Sequence, residues 1–177
     1  MSQTLAPSNA PSHEPRVAFD RLYRSSRDDI YSYAAGLLRD RNAAEDVTAV
    51  AFERAYRNRS RFNPRRGNAR AWLFGIARNA ALDELRRRNR QAKLIAEPID
   101  LASLDPEHPA ERSERRLAVA SALDGLEARE RELVALKFFA GLSNSEIAQV
   151  LGITESNVGT KLHRVVGKLR EACDGAP

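Results

Sequence analysis

Apolar residues recur along this chain at steps of three and four, and no stretch shows the strict alternation of a half-buried strand. From Val17 to Leu38 the face Phe19, Leu22, Tyr23, Ile30, Ala34, Leu37 and Leu38 predicts one helix. In "RDRNAAED" a helix stops and another starts, with Asn42 as the expected N-cap and Glu45 at capping-box spacing. Ala44, Val47, Ala51 and Ala55 then share one face, with Phe52 and Tyr56 beside them. "NRSRFNPRRGN" breaks the pattern, because Pro64 and Gly67 both resist helix. Helix resumes from Ala69 to about Arg90, with Leu73, Ile76, Ala77, Ala80 and Leu85 inward. Trp72, Asn79, Arg86 and Arg90 fall close to one stripe on another side.

The segment "AEPIDLASLDPEHPAERS" carries three prolines and no sustained period, so it reads as a linker. Beyond it, Leu117, Ala120 and Leu123 predict one helix, and Leu133, Val134, Leu136 with Phe138 or Phe139 another. The predicted class is all-α, two small helical domains on a flexible linker. Boundaries fall at 1–15 for a disordered lead-in, 16–93 for the first domain, 94–113 for the linker and 114–177 for the second domain.

The stretch "GLSNSEIAQVLGITESNVGTKLHRVVGKLR" is the most informative local pattern. Ser143 and Glu146 form an S-x-x-E box that starts a helix, and Gly152 supplies a left-handed stop. Ile153 plugs the turn and Thr154 caps the next helix. Val158, Leu162, Val165, Val166 and Leu169 give that helix a buried face. Its other face shows Glu155, Ser156, Asn157, Thr160, Lys161 and Arg164. A helix-turn-helix presents such short polar groups to the major groove, where they reach base edges and phosphates. An ordinary helical hairpin with a polar outer face is the alternative.

Charge sharpens the picture. The formal net charge of +5 is unevenly spread over the 177 residues. Arg54 to Lys93 holds 13 basic residues against two acidic ones, Asp83 and Glu84, whereas Leu94 to Glu132 holds five basic against ten acidic. A basic block inside a folded segment with aromatics points to a polyanion, nucleic acid above all, or else to a solvated face. One cysteine, Cys173, fits a reducing compartment and excludes an internal disulfide. No apolar run approaches the roughly 20 residues of a membrane span, and the N-terminus has no secretory pattern. The expected compartment is the cytoplasm. His13, His108 and His163 are scattered, and no metal-ligand cluster or phosphate loop is evident, so neither enzyme, metal nor cofactor is expected.

Taken alone, "EARERELVALKFFAGLSNSEIAQVLGITESNVGTKLHRVVGKL" resembles both LuxR-type regulators and region four of sigma factors. The first domain separates them. "NAAEDVTAVAFERAYRN" and "RFNPRRGNARAWLFGIARNAALDELRRRNR" resemble region two of the extracytoplasmic-function (ECF) group of sigma-70 factors. That resemblance implies a subunit that joins core RNA polymerase, at its clamp coiled coil and flap, and directs promoter recognition and melting. It implies that Glu45, Asp46, Val47 and Phe52 lie on the polymerase-binding helix. It implies that Phe62, Asn63, Arg65, Arg66, Arg70, Trp72, Arg78, Asn79, Arg86, Arg87 and Arg90 meet the minus-ten element, with Arg88 among the phosphate-holding arginines. Thr154, Glu155, Ser156, Asn157, Thr160, Lys161 and Arg164 would meet the minus-thirty-five element. Trp72 would be either a strand-separating wedge or core packing. An anti-sigma protein is a further implied partner.

This sequence departs from the group pattern at Ala49 and Val50, at Gly159 in the reading helix, and at Val165-Val166. Gly159 either lets the backbone approach DNA closely or weakens the reader. Two rivals remain on sequence alone: a LuxR-type regulator, and a sigma-like decoy for an anti-sigma protein.

Overall fold

The structure is a computed structural model that describes residues 14–94 and 110–174. The N-terminal lead-in to residue 13 and the linker from 95 to 109 lie outside the described residues. Three helices build the first domain: α1 (Glu14–Leu38), α2 (Arg41–Arg57) and α3 (Ala69–Leu94). Helix α1 opens before Val17, with Pro15 in the first turn, where a missing N–H breaks no helical bond.

Between α1 and α2 the chain turns through Arg39, whose φ of 53° is left-handed. That turn throws Asp40 into an extended conformation, and its carboxylate accepts from the Ala43 amide at 2.9 Å. The cap is therefore Asp40 rather than Asn42, which lies inside the first turn. A full carboxylate prevails because it also receives Arg88 at 2.8 Å. Ala43, Ala44, Val47, Ala51 and Ala55 line the buried side of α2, small enough for close helix approach, and Ile30, Tyr33, Leu73 and Phe74 fill the centre. Two single 3-10 turns, Arg59–Arg61 and Pro64–Arg66, replace helix in the loop before α3. The Asn63 side chain caps the second of these turns by accepting from the Arg65 amide, and Asn68 caps α3 by accepting from the Ala71 amide.

The second domain comprises α4 (Ala110–Asp124), α5 (Ala128–Val134), a π turn at Ala135–Phe139, α6 (Asn144–Leu151) and α7 (Glu155–Asp174). Helix α4 docks by its C-terminal end. Ala122 and Leu126 are buried, whereas Leu117 is exposed, contrary to the face predicted for it. Helix α5 does not run on as a regular helix. The Ala140 amide bonds the Ala135 carbonyl at 3.0 Å, five residues back, which widens the last turn. Leu136 is thereby buried, Phe138 faces outward, and Phe139 turns toward α1 with part of its ring exposed.

The two domains pack against each other. Helices α1 and α3 meet the π turn and α6. Gly36 lies beneath the Phe139 ring, so close that a Cβ there would stand 2.8 Å from a ring carbon. Arg39 pairs with Asp124 and donates to the Ala120 carbonyl.

Candidate nucleic-acid interfaces

The loop before α3 and the first half of that helix enclose a cleft of about 590 Å³. Phe62 and Trp72 form its aromatic wall, with ring centroids 5.3 Å apart and planes tilted by 48°. Asn63, Asn68, Arg78 and Asn79 add hydrogen-bonding groups, and Gln149 and Val150 of α6 border it from the second domain. Trp72 is half-buried rather than enclosed. An aromatic wall beside side-chain amides is a surface on which a splayed base can stack and be read at its edge.

The arginines assigned to DNA divide into two sets. Arg65, Arg86, Arg87 and Arg90 are exposed. Arg86 donates to Asp83, which also accepts from Arg54, and Arg87 forks onto Glu84 with two bonds of 2.7 Å. Arg87 first, then Arg88, holds the Glu84 carboxyl below its ordinary range against the opposing effect of burial. Arg88, Arg70 and Arg78 are instead drawn inward. Arg88 bridges Glu84 and Asp40. Arg70 and Arg78 bind carboxylates of the second domain, Glu146 and Glu132. Arg66 lies in the second 3-10 turn, and its side chain is outside the described residues.

The helix-turn-helix forms as its local chemistry predicts. The Ser143 hydroxyl accepts from the Glu146 amide, and the Glu146 carboxylate accepts from the Ser143 amide at 2.9 Å. Gly152 closes α6 with φ 68°, the left-handed region in which a Cβ is penalised. The Thr154 hydroxyl accepts from the Asn157 amide at 3.2 Å and starts α7. Val158, Leu162 and Val165 are buried beneath it. Thr154, Glu155, Ser156, Asn157, Thr160, Lys161 and Arg164 are all exposed on the opposite side. At Gly159 an added Cβ would meet nothing nearer than Asn144, at 4.0 Å, so packing does not require glycine there.

On α2, Glu45, Asp46 and Ala49 form an exposed face with Val50 half-buried at its edge. Val47 and Phe52 do not belong to that face. They are 5% and 6% exposed, because the helical period turns them toward Phe19, Tyr23 and the core. Sequence reasoning missed Asn68, Glu132 and Gln149 as site neighbours. Only Glu146 carried a signal, and that signal was its cap.

Fold and local geometry together give a helical protein with two candidate nucleic-acid surfaces, a cleft in one domain and a helix-turn-helix in the other. Residues 22–91 match the family model for sigma-70 region 2, and residues 116–169 match that for sigma-70 region 4. The chain is 33% identical over 151 residues to the ECF RNA polymerase sigma factor SigL of Mycobacterium tuberculosis, covering 84% of this chain and 85% of the relative. It is 27% identical over 165 residues to the ECF sigma factor SigK of Mycobacterium ulcerans, covering 91% and 88%. Among solved structures it is similar to the sigma factor RpoE of Bartonella quintana in complex with the anti-sigma factor NepR, with a TM-score of 0.71 at 23% identity over 90% of this chain and 99% of that one. It is also similar to CnrH in complex with the cytosolic domain of CnrY, with a TM-score of 0.63 at 26% identity over 92% and 91%. This chain belongs to the sigma-70 family, in its ECF group. It is an alternative sigma factor that acts with core RNA polymerase on promoter DNA to begin transcription. The region 2 match removes the LuxR-type reading. Among the described residues no helix is long and apolar enough to cross a membrane, and no cluster of side chains is placed to hold a metal ion.

Proposed function

We propose that residues 16–93 bind polymerase and the minus-ten element, and that residues 114–177 read the minus-thirty-five element. The cleft between Phe62, Trp72 and Asn79 captures one base of the nontemplate strand. Flipping that base costs a few kcal/mol, which stacking on the aromatic wall and hydrogen bonds from Asn63 and Asn79 offset. Arg65, Arg86, Arg87 and Arg90 hold the flanking phosphates, making the complex strongly salt-dependent. Glu45 and Asp46 meet the polymerase clamp through the exposed face of α2, and Val47 and Phe52 hold that face in place from the core. Ser156, Asn157, Lys161 and Arg164 enter the major groove with the positive end of α7 leading. The chain performs no bond chemistry of its own, works in the cytoplasm, and is held in check by an anti-sigma protein.

The observation that carries this reading is the juxtaposition of the Phe62–Trp72 pair with Asn79 in one cleft. Permanganate footprinting of open complexes formed with core polymerase tests it. Asn79→Ala and Trp72→Ala should leave polymerase binding intact while thymine reactivity within the minus-ten element falls. Undiminished reactivity in both variants contradicts the assignment.

A further inference from the structure

Arg88 sits in the run of arginines that ends α3, yet its side chain serves three helices of its own domain. Its Nε donates to Glu84 on α3 at 2.8 Å, and Nη2 donates to Asp40 at the start of α2, also at 2.8 Å. Nη1 reaches the Leu38 carbonyl at the end of α1 at 3.4 Å. The side chain is 24% exposed, against 69% and 53% for Arg86 and Arg87 beside it. Each of its three nitrogens already has an acceptor, which leaves little of the fork for a phosphate.

The Asp40 carboxylate divides its two oxygens. One caps α2 by accepting from the Ala43 amide at 2.9 Å, and the other accepts from Arg88. A charge-assisted bond thus fixes the residue from which α2 departs. The first turn of α2 buries only the methyl groups of Ala43 and Ala44, and larger apolar side chains begin at Val47. Glu45 and Asp46 stand between, exposed. Asp46 also shares with Glu84 and Arg87 a groove of about 310 Å³ between α2 and α3. The carboxylate that anchors Arg88 therefore borders the acidic face itself.

We infer that Arg88 is a positioning residue for polymerase binding rather than a ligand for DNA phosphate. By tying Asp40 to Glu84 it sets the angle at which α2 presents Glu45 and Asp46. The inference rests on the reading of that face as the polymerase contact. Charge alone predicts the opposite of what position predicts. An acidic face draws a cationic partner, so removing a neighbouring cation strengthens the encounter on electrostatic grounds. Loss of the tie instead lets the face tilt, and docking must then order it. Lysine separates the roles further. An ammonium holds a phosphate as a point charge, but it lacks the planar fork that spans Asp40, Glu84 and the Leu38 carbonyl.

The test uses the full chain, labelled with fluorescein at Cys173, its single cysteine, and titrated with purified core polymerase. Arg88→Ala should bind core roughly tenfold more weakly, the loss that one charge-assisted bond commands. Arg88→Lys should recover only part of this. Arg129→Ala, which removes an exposed arginine of α5, is the charge control and should bind as the wild type does. Asp40→Asn keeps an N-cap but loses the charged partner, so it should weaken core binding in the same direction. Should Arg88→Ala lose helicity, Asp40→Asn decides, and wild-type affinity in it overturns the inference. Combined with Glu45→Ala and Asp46→Ala, Arg88→Ala should add no further loss, because it acts through that face. An equal loss in both backgrounds shows a merely structural arginine and overturns positioning. Binding of a labelled, randomised duplex pool by holoenzyme at saturating chain supplies the second readout. Arg88→Ala should leave its salt slope unchanged, and a slope reduced by about 0.9 assigns Arg88 to a phosphate instead. Wild-type core affinity after Glu45→Ala with Asp46→Ala overturns the polymerase-face reading and the inference with it, whereas a loss there without one in Arg88→Ala overturns the inference alone.

Discussion

Arg78 on α3 grips Glu132 on α5 across the domain boundary, at 2.6 and 3.3 Å, and Glu132 is the one buried charged residue among those described. A buried carboxylate without its guanidinium is costly, whereas replacing it by a neutral isostere is not. Arg78→Ala should therefore lower stability on the order of 2 kcal/mol. This is less than the roughly 3–5 kcal/mol of a fully buried pair, because the Arg78 side chain is itself 29% exposed. Adding E132Q to that variant should restore most of the loss. Urea melts of the two single variants and the double variant measure the coupling.

Gly159 has room for a methyl group and lies within the reading helix. Gly159→Ala should stabilise the chain by about 1 kcal/mol, the propensity difference between these residues. Its effect on duplex binding separates two roles for the glycine. Weaker upstream-element binding in a more stable protein shows that the backbone approaches DNA at this point. Unchanged or tighter binding shows that glycine weakens the reader.

Burial, reinforced by Glu132, pushes the Tyr33 phenol far above its ordinary range, so the group is neutral at every working pH. Its hydroxyl lacks a protein partner and its ring packs edge-on against Phe74 at 6.0 Å. Tyr33→Phe keeps the ring and removes the orphan group, and a gain of up to about 1 kcal/mol is expected in thermal or urea melts. A loss above that size would show that the hydroxyl is satisfied after all.

Four carboxylates connect stability to acid. Asp40 is depressed chiefly by the Ala43 amide, Glu84 by Arg87, and Glu130 by Lys168. At Glu146 burial acts upward, but the Ser143 donors with Arg70 and Asn68 outweigh it and hold the carboxyl low. A depressed folded pKa contributes stability that is complete above the unfolded value, about 4.3 for a glutamate, and that fades as pH falls through the folded value. Urea midpoints should thus be flat at neutral pH and drop below about pH 4.3. E146Q should make the drop shallower, and an unchanged profile would contradict the role given to that carboxylate.

Much of this architecture was legible in the residues because its causes are local. The Ser143–Glu146 box, Gly152 and Thr154 act within three or four positions of one another, and they form α6, the turn and α7 as the sequence predicts. The cap of α2 was misread because Asn42 carries the expected spacing. Asp40 is selected instead by the left-handed Arg39 before it and by Arg88, 48 residues away. Leu117 fits an apolar period yet lies exposed, and among the described side chains of α4 only Ala122, near its C-terminal end, is buried. The interdomain contact was invisible for the same reason. Arg78 and Glu132 are 54 positions apart, and no helical period links a cleft arginine to an acid in another domain. Their opposite charges were seen only as a basic block followed by an acidic stretch.

The central claim is that this chain selects promoters for core RNA polymerase. Mapping of transcript 5′ ends tests it most directly, using purified core polymerase and sheared genomic DNA from the source organism, with the protein present or omitted. The account predicts discrete start sites that depend on the protein and share two upstream motifs at constant spacing, and that are lost with Asn79→Ala in the cleft or Lys161→Ala in the reading helix. A protein that binds the core enzyme but produces no such sites on any fragment is a decoy for an anti-sigma protein, and the account is contradicted.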